Sequence, residues 1–190
     1  DVGATYEAVI RVNSQSGKSG AAWILQQNHG LTLPVYLQKH FSLCVQNHTE
    51  QFGQEISIAD IWSLFRQQYG LQSEPVLKLQ DYGFVAEAGQ FHAQIASVDG
   101  EENLRGKGSG IIAAWVHALS QWLDQDVSVL HYDEHSLGQT TQSQAVAYVA
   151  CQFDGGAPVY AVAIEQDASK AALQAVLNAV VQVWELKSVP

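Results

Sequence analysis

The sequence predicts an α+β fold, in which a small, mostly helical subdomain precedes a domain of two tandem β-β-β-α units related by pseudo-two-fold symmetry. Apolar residues recur at helical spacing over residues 1–74, whereas they alternate at strand spacing over residues 75–190. Asp-Gly hairpin signals lie at 99–100 and at 154–155, and each is followed by a short strand and then a helix. The two signals are 55 residues apart, which predicts a duplicated unit.

The helical subdomain opens with a short extended run over residues 6–12 and a loop over residues 13–17. A helix is expected to follow as far as Asn28. His29 and Gly30 then end it, because glycine is common just after a helix C-terminus.

Two further helices complete this subdomain. Pro34 suits the first turn of one of them, and its apolar stripe consists of Leu37, Phe41, Cys44, Val45 and His48. Ser57 begins the other, with Asp60 as its capping-box partner, and Gly70 ends it. The stripe of that helix consists of Ile58, Ile61, Trp62, Phe65 and Tyr69. Residues 72–75 are predicted to be a linker.

The second domain is predicted to contain two β-β-β-α units, over residues 76–123 and 127–184. Alternation indicates strands at Phe91, Ala93 and Ile95 and at Ala145, Ala147, Val149, Cys151 and Phe153. Helical stripes follow at Ile112, Trp115, Val116, Leu119, Trp122 and Leu123 and at Leu173, Val176, Leu177, Val180 and Trp184. Asp167 or Ser169 suits the N-cap of the last helix.

The charge of the chain excludes two classes of partner. Its 190 residues carry a net charge of −10, with −2 over residues 1–75 and −8 over residues 76–190. A basic nucleic-acid footprint is therefore absent, and so is a polybasic membrane patch. The sequence contains no run of 18 apolar residues, which is about the length needed to cross a membrane. There is no signal peptide and no methionine, so we expect the chain to begin inside a longer polypeptide.

The motifs for catalysis and for disulfides are incomplete. Gly17-Lys18-Ser19 resembles a P-loop fragment, but the glycine required five residues earlier is replaced by Val12. No Gly-x-Ser-x-Gly elbow occurs, and no catalytic residue is predicted. Cys44 and Cys151 lie among apolar residues, which favours buried, reduced thiols over a disulfide framework.

Two histidine patterns are compatible with a metal site, although we expect another role for each. His131 and His135 share one face of a strand, and a zinc site would need further ligands that the nearby sequence does not supply. His40, Cys44 and His48 share one helical face, but apolar residues occupy it too. We expect a solvated strand end in the first case and core packing in the second.

A glycine-rich segment, residues 106–110, lies between a predicted strand and a predicted helix. Bare backbone at a helix N-terminus favours an anion, because free N–H groups and the helix dipole both point towards it. The alternative is a turn without a ligand. A small-metabolite sensor is consistent with the fold by analogy only.

Residues 6–18 strongly resemble the region that follows the catalytic barrel in the 2-isopropylmalate synthase family. The match continues in step through His29-Gly30-Leu31, Leu33-Pro34, Leu37-Gln38, Phe41-Ser42 and Val45-Gln46. Later segments resemble the leucine-binding regulatory domain of that family: 108–110, 113–114, 116–119, 132–135, 147–149 and 162–164.

The resemblance implies the regulatory and dimerisation part of an enzyme that condenses acetyl-CoA with 2-oxoisovalerate for leucine biosynthesis. The divalent metal and the catalytic groups of the family belong to the barrel, so neither a cofactor nor catalysis is expected in this chain. The implied partners are leucine, as feedback inhibitor, and a second copy in a homodimer, and the implied location is cytoplasmic.

The inhibitor site is carried over from the family position by position. The matching residues are Gly108, Gly110, Ile112, Ala113, Val129, Tyr132, Ser136, Ser143 and Ala168. Leucine's isobutyl group would occupy an apolar slot, and its carboxylate would lie near the glycine N–H groups. Two alternatives stay open: the regulatory domain of a citramalate synthase sensing isoleucine, and a dimerisation module without a ligand.

Overall fold

A computed structural model of the chain describes residues 17–139 and 141–187. The chain divides into two compact units, Asp1–Arg66 and Gln67–Pro190. This division falls inside a helix, whereas the sequence placed the boundary between residues 74 and 75. The predicted extended run over residues 6–12 and most of the loop after it lie outside the described residues.

The first unit is helical. Its elements are α1 (Gly17–His29), α2 (Val35–Phe52) and α3 (Ile58–Gln68), the last of which extends into the second unit. The predicted capping box is confirmed, because Ser57 Oγ accepts the Asp60 N–H at 3.1 Å and donates to Asp60 Oδ2 at 2.6 Å. The buried row of α2 is Leu37, Phe41, Val45 and Thr49. Cys44 and His48, predicted within that stripe, are only half-buried because they lie beside the i, i+4 row.

The second unit contains two β-β-β-α repeats, and the predicted α+β class is confirmed. The first repeat comprises β1 (Lys78–Val85), β2 (Gln90–Ser97), β3 (Gly100–Lys107) and α4 (Ile111–Leu123). The second comprises β4 (Val127–Leu137), β5 (Gln144–Phe153), β6 (Val159–Glu165) and α5 (Ala168–Lys187). Each repeat forms a three-stranded antiparallel sheet in chain order, and both repeats contribute to one apolar core.

The two helices of this unit lie side by side and run in the same direction. Near their N-termini, Trp115 Nε1 donates to the Leu173 carbonyl at 3.1 Å. Near their C-termini, the rings of Trp122 and Trp184 lie 5.0 Å apart. Each helix packs on its own sheet and also contacts the first strand of the other repeat. The N-termini of both helices therefore lie at the same end of the unit.

The first strand of each repeat carries a bulge at the equivalent place. The register shifts between Leu79 and Asp81 in β1 and between Val129 and His131 in β4. A tyrosine follows each bulge, Tyr82 and Tyr132, 50 residues apart. The duplication thus preserves a local irregularity as well as the order of the elements.

Two buried amides of α5 join the repeats. Gln174 accepts the Leu79 N–H at 2.8 Å and donates to the Leu77 carbonyl and to Asn178 Oδ1, both at 2.9 Å. Asn178 in turn donates to the Val162 carbonyl of β6 at 2.9 Å. Strand edges from both repeats are therefore satisfied by one helix.

The two cysteines are free and differ in burial. Cys151 is fully buried, as predicted, and burial raises the pKa of its thiol to about 12. Cys44 is half-buried, with its Sγ 3.8 Å from His40 Nδ1. Within the described part of the chain, no helix is both long and apolar enough to cross a membrane.

Candidate functional site

The glycine-rich segment does connect β3 to α4, as predicted, and two of its glycines have a packing role. A Cβ on Gly106 would lie 2.1 Å from the Ala114 carbonyl oxygen, and one on Gly108 would lie 2.5 Å from the Ala114 nitrogen. The Gly108 N–H donates to the Gly89 carbonyl at 2.9 Å. The amide of Gly108 is therefore already engaged, so an anion would depend on amides further along the chain.

Those further amides belong to the first turn of α4. Gly110 is the N-cap and provides no side-chain cap, and the first bond into the helix runs from the Ala114 N–H to the Gly110 carbonyl at 2.9 Å. Among the described residues, no acceptor is found for the amides of Ile111, Ile112 and Ala113. This end of α4 can therefore accept an anion.

The bulge in β4 brings three predicted site residues to one face of the sheet. Val129, Tyr132 and Ser136 pair with Cys151, Val149 and Ala145, and these three partners belong to the core beneath the helices. In a regular strand, positions 129 and 132 would lie on opposite faces. The extra residue at position 130 places them on the same face.

The same strand separates its first and last site residues. Val129 and Ser136 are seven positions apart, which at about 3.3 Å per residue is roughly 20 Å. One leucine cannot contact both within a single chain. Val129 is half-buried in the core, whereas Tyr132 lies between the two and keeps 38% of its surface exposed.

Tyr132 is held by a local hydrogen bond. Its hydroxyl donates to Glu134 Oε2 on the same face of β4. Burial, and then the neighbouring Glu134 carboxylate, raise the pKa of the Tyr132 phenol. The phenol is therefore a neutral donor, and the Glu134 carboxylate that it binds lies on the helix-facing side of β4.

Ser136, Ser143 and Ala168 lie at the far end of the second sheet. Ser136 pairs with Ala145, which pairs with Glu165 just before α5 begins at Ala168. Ser143 immediately precedes β5 at the same end. Because β4 starts beside the last turn of α4, where the Val127 N–H donates to Ser120 Oγ at 3.1 Å, it runs back towards the α4 N-terminus.

The structure therefore places the start of α4 with Ser136, Ser143 and Ala168 at one end of the second unit, while Tyr132 lies midway along β4 and Val129 lies furthest from that end. That end also contains Tyr82 and Asp167. Asp167 caps α5 by accepting the Lys170 N–H at 2.8 Å, and the Tyr82 hydroxyl lies 3.4 Å from the same carboxylate oxygen. Burial, followed by the Asp167 charge, raises the pKa of Tyr82. The sequence predicts Asp167 only as a cap and assigns no role to Tyr82, although a tyrosine that recurs 50 residues later, at Tyr132, is a usable signal.

The histidine patterns have structural roles. His131 and His135 do share a face of β4, opposite the helices. His135 Nε2 lies 2.8 Å from the Tyr148 hydroxyl, and Nδ1 lies 3.0 Å from the Ser136 carbonyl. Among the residues that the structure describes, no group of three His, Cys, Asp or Glu side chains is arranged to hold a metal ion.

Comparison with known proteins agrees with this architecture. The family model of the LeuA allosteric (dimerisation) domain matches residues 55–184, and that of the alpha-isopropylmalate synthase post-catalytic domain matches residues 1–26. The chain is 46% identical to a 2-isopropylmalate synthase of Marinomonas sp. over 183 residues, which is 94% of this chain and 33% of that protein.

Two further relatives give the same picture. The 2-isopropylmalate synthases of Mycobacterium ulcerans and Brucella suis are 40% and 38% identical, over 95% and 94% of this chain and 33% of each relative. The chain thus spans about a third of the length of the curated relatives that it matches. Because the first family model covers more than half of the chain, this chain belongs to the LeuA allosteric (dimerisation) domain family.

Proposed function

We propose that this chain is the regulatory and dimerisation region of a cytoplasmic 2-isopropylmalate synthase, and that it binds leucine as a feedback inhibitor. Family membership and the names of the relatives support the parent enzyme. The condensation chemistry and its divalent metal are assigned to a catalytic barrel that belongs to another part of the parent protein.

The observation that carries the proposal is the uncapped N-terminus of α4, towards which β4, the strand of Tyr132, runs. Leucine's carboxylate would accept the amides of Ile111, Ile112 and Ala113, since their positive dipole end favours an anion. Its ammonium would face the Glu134 carboxylate held by the Tyr132 hydroxyl.

The side chain of the effector needs an apolar surface near these polar groups. The half-buried side chain of Ile112 lies in the first turn of α4 and packs against the core. Full burial of an isobutyl group contributes about 2–3 kcal/mol. Ser136, Ser143 and Ala168 would form the rim of the site at the shared end of the sheet and helices.

Inhibition would require two states of the parent enzyme with different affinities for leucine. By linkage, ligands of the active site would then change the leucine affinity by the same factor. A homodimer built through this domain provides a surface through which such a change could pass between subunits.

Thermal denaturation of the chain with leucine, isoleucine or valine tests the proposed effector. A ligand at about 100 times its dissociation constant adds about 2.7 kcal/mol of stability, which for a chain of this size is about 5–10 °C in midpoint. A shift with leucine alone supports the proposal. A larger shift with isoleucine would favour a citramalate synthase, and no shift in a folded dimer would favour a dimerisation module.

The Tyr132→Ala variant tests the position of the site. We expect it to lose most of the leucine-dependent shift, because the phenol and the Glu134 carboxylate that it holds are displaced. Leu130→Ala is the matched control, since Leu130 is the neighbouring bulge residue and is similarly exposed, at 41%. Equal responses of the two variants to leucine would overturn the assignment. Size-exclusion chromatography with light scattering, expected to give the mass of two chains, tests the dimer separately.

A further inference from the structure

A cavity of about 490 Å³ lies at the edge of the first repeat, between β3 and α4. Its lining includes Val85, His92, Arg105, Lys107, His117 and Gln121. None of the predicted leucine-site residues lines it. Lys107, however, directly precedes Gly108, so this cavity and the proposed effector site adjoin along the chain.

The duplication shows that this cavity is a regular groove of the repeat. The two N-caps, Gly110 and Asp167, are 57 residues apart, and the same offset relates His117 to Gln174 and Gln121 to Asn178. The sheets also have equivalent rows across their three strands: Gly83, His92 and Arg105 in the first repeat correspond to Asp133, Tyr148 and Val162 in the second. The cavity between β3 and α4 therefore corresponds to the groove between β6 and α5.

In the second repeat this groove is filled by the protein's own backbone. The Val162 N–H donates to the Tyr69 carbonyl at 3.1 Å. A Cβ on Gly70 would lie 3.3 Å from Asn178 Cβ. The segment at residues 69–70 thus covers the edge of β6 beside α5. No segment among the described residues fills the equivalent groove in the first repeat, where the cavity is found.

The open groove differs from the filled one in charge. Tyr148 and Val162 of the second repeat are replaced by His92 and Arg105 in the first, and Lys107 and His117 add further basic groups. None of the described lining residues is acidic. Within the described part of the chain, neither Arg105 nor Lys107 forms an ion pair. Such a concentration of basic side chains is unusual in a chain with a net charge of −10.

Two of the basic side chains, His92 and His117, are held in place by the fold. His92 and Arg105 are direct cross-strand partners, and the His92 ring lies against Gly83, where a Cβ would approach it to 2.3 Å. His117 Nδ1 accepts the Lys107 N–H at 3.1 Å. His117 Nε2 lies 3.5 Å from Gln121 Nε2.

We propose that this cavity binds a small organic dianion, with either two carboxylates or one phosphate group. The Arg105 guanidinium can engage a carboxylate or phosphate with two parallel hydrogen bonds, and Lys107 adds a second positive charge. Val85, which is exposed, provides an apolar wall for a short carbon skeleton. A ligand here takes the place that the segment at residues 69–70 has in the second repeat.

Titration of the chain with succinate, inorganic phosphate and acetate at constant ionic strength tests the proposal, by heteronuclear NMR. We expect saturable shifts of the amides of Lys107 and His117 with succinate or phosphate, and a response at least tenfold weaker with acetate. Saturation by succinate alone identifies a dicarboxylate site, and saturation by phosphate alone identifies a phosphate-ester site. The absence of saturation with both would overturn the proposal.

A pair of variants separates this site from general charge effects and from the leucine site. The double variant Arg105→Gln with Lys107→Gln is expected to weaken dianion binding at least tenfold. Lys78→Gln is the matched control, because Lys78 is an exposed lysine at the opposite end of the same sheet and should leave binding unchanged. Equal losses would contradict a defined site. Because the proposal does not rest on leucine binding, the leucine-dependent thermal shift reports on the other site independently.

Discussion

The two repeats of the second unit share their strand order, bulges and parallel helices, but they differ in what their sheets cover. The central strand of the first repeat, β2, alternates between buried Phe91, Ala93 and Ile95 and exposed Gln90 and His92. In the second repeat, β5 is buried on both faces from Ala145 to Cys151. The central strand of the first sheet therefore keeps a polar face towards solvent, whereas that of the second is buried on both faces.

The helix ends differ in the same sense. Asp167 caps α5 with its own carboxylate, while Gly110 leaves the first turn of α4 without a side-chain cap. The groove beside α5 is filled by backbone, and the groove beside α4 is an open cavity with basic walls. The comparison shows that the second repeat caps its helix and fills its groove with its own groups, whereas the first leaves both open.

The approach of each helix to its sheet gives the largest expected effect. Gly106 and Ala163 occupy equivalent rows of the two sheets. A side chain at position 106 would meet the backbone of α4, with a Cβ only 2.1 Å from the Ala114 carbonyl oxygen. We expect Gly106→Val to lower the free energy of unfolding by about 3 kcal/mol in chemical denaturation.

The matched variant is Ala163→Val, where a Cβ is already accommodated in the core. We expect a smaller loss, of about 1–2 kcal/mol, because only two methyl groups are added to a packed site. If both variants lost the same stability, the two helices would approach their sheets equally closely, and this part of the comparison would fail.

The buried amides of α5 give the next effect. Gln174→Leu would leave the Leu77 carbonyl and the Leu79 N–H without their partner in a buried region. We expect a loss of about 2–3 kcal/mol in the free energy of unfolding. Gln121 on α4 corresponds to Asn178, the amide partner of Gln174 on α5, but it is exposed. We therefore expect Gln121→Leu to change the free energy of unfolding by no more than about 0.5 kcal/mol. A large loss in the second variant would show that α4 has a comparable structural network.

The titration of Cys151 tests whether water reaches the buried strand β5 in the folded state. Burial raises the pKa of its thiol from an ordinary value near 9 to about 12. Between these two values the unfolded chain releases a proton that the folded chain retains, so stability falls as pH rises. We expect the thiol to contribute a loss of up to about 2 kcal/mol between pH 9 and pH 11.

The measurement is urea denaturation across that pH range for the original chain, Cys151→Ala and Cys44→Ala. Removing Cys151 should flatten the decline in stability, whereas removing the half-buried Cys44 should leave the decline unchanged. Identical slopes for all three proteins would mean that water reaches the thiol in the folded state.

Local sequence patterns were sufficient to predict the order of elements in the second unit. The period of the apolar residues, the hairpin glycines and the caps are all encoded within a few neighbouring positions. The alternation of the odd-numbered positions of β5 predicts a strand with one buried face, whereas both of its faces are buried. The uninterrupted apolar run from 145 to 151 was the indication of a strand buried on both sides.

The site was less predictable because it depends on register between distant segments. The bulge at position 130 places Val129 and Tyr132 on the same face of β4, and no local sequence pattern predicts that bulge. The engagement of the Gly108 amide by Gly89 depends on a hairpin whose glycine lies 19 residues earlier. The basic cavity requires knowing that His117 faces the end of β3, which only the packing of α4 on its sheet determines.

The helix caps give the smallest effect on stability and the sharpest test of the comparison. Asp167→Ala removes a side-chain cap from α5 and should lower the free energy of unfolding by about 1 kcal/mol. Gly110→Asp supplies a cap to α4 at an extended φ of −151°, with no atom near enough to obstruct a side chain, and should raise stability by a few tenths of a kcal/mol.

The two cap variants should diverge in their response to leucine, measured as the change in thermal midpoint. In Gly110→Asp, the new carboxylate would occupy the amides proposed to receive the carboxylate of leucine, so we expect the leucine-dependent shift to be largely lost. In Asp167→Ala, the α4 amides are untouched and most of the shift should remain. If Gly110→Asp kept the full shift, the uncapped end of α4 would not be where leucine binds, and the functional contrast between the two repeats would rest on the basic cavity alone.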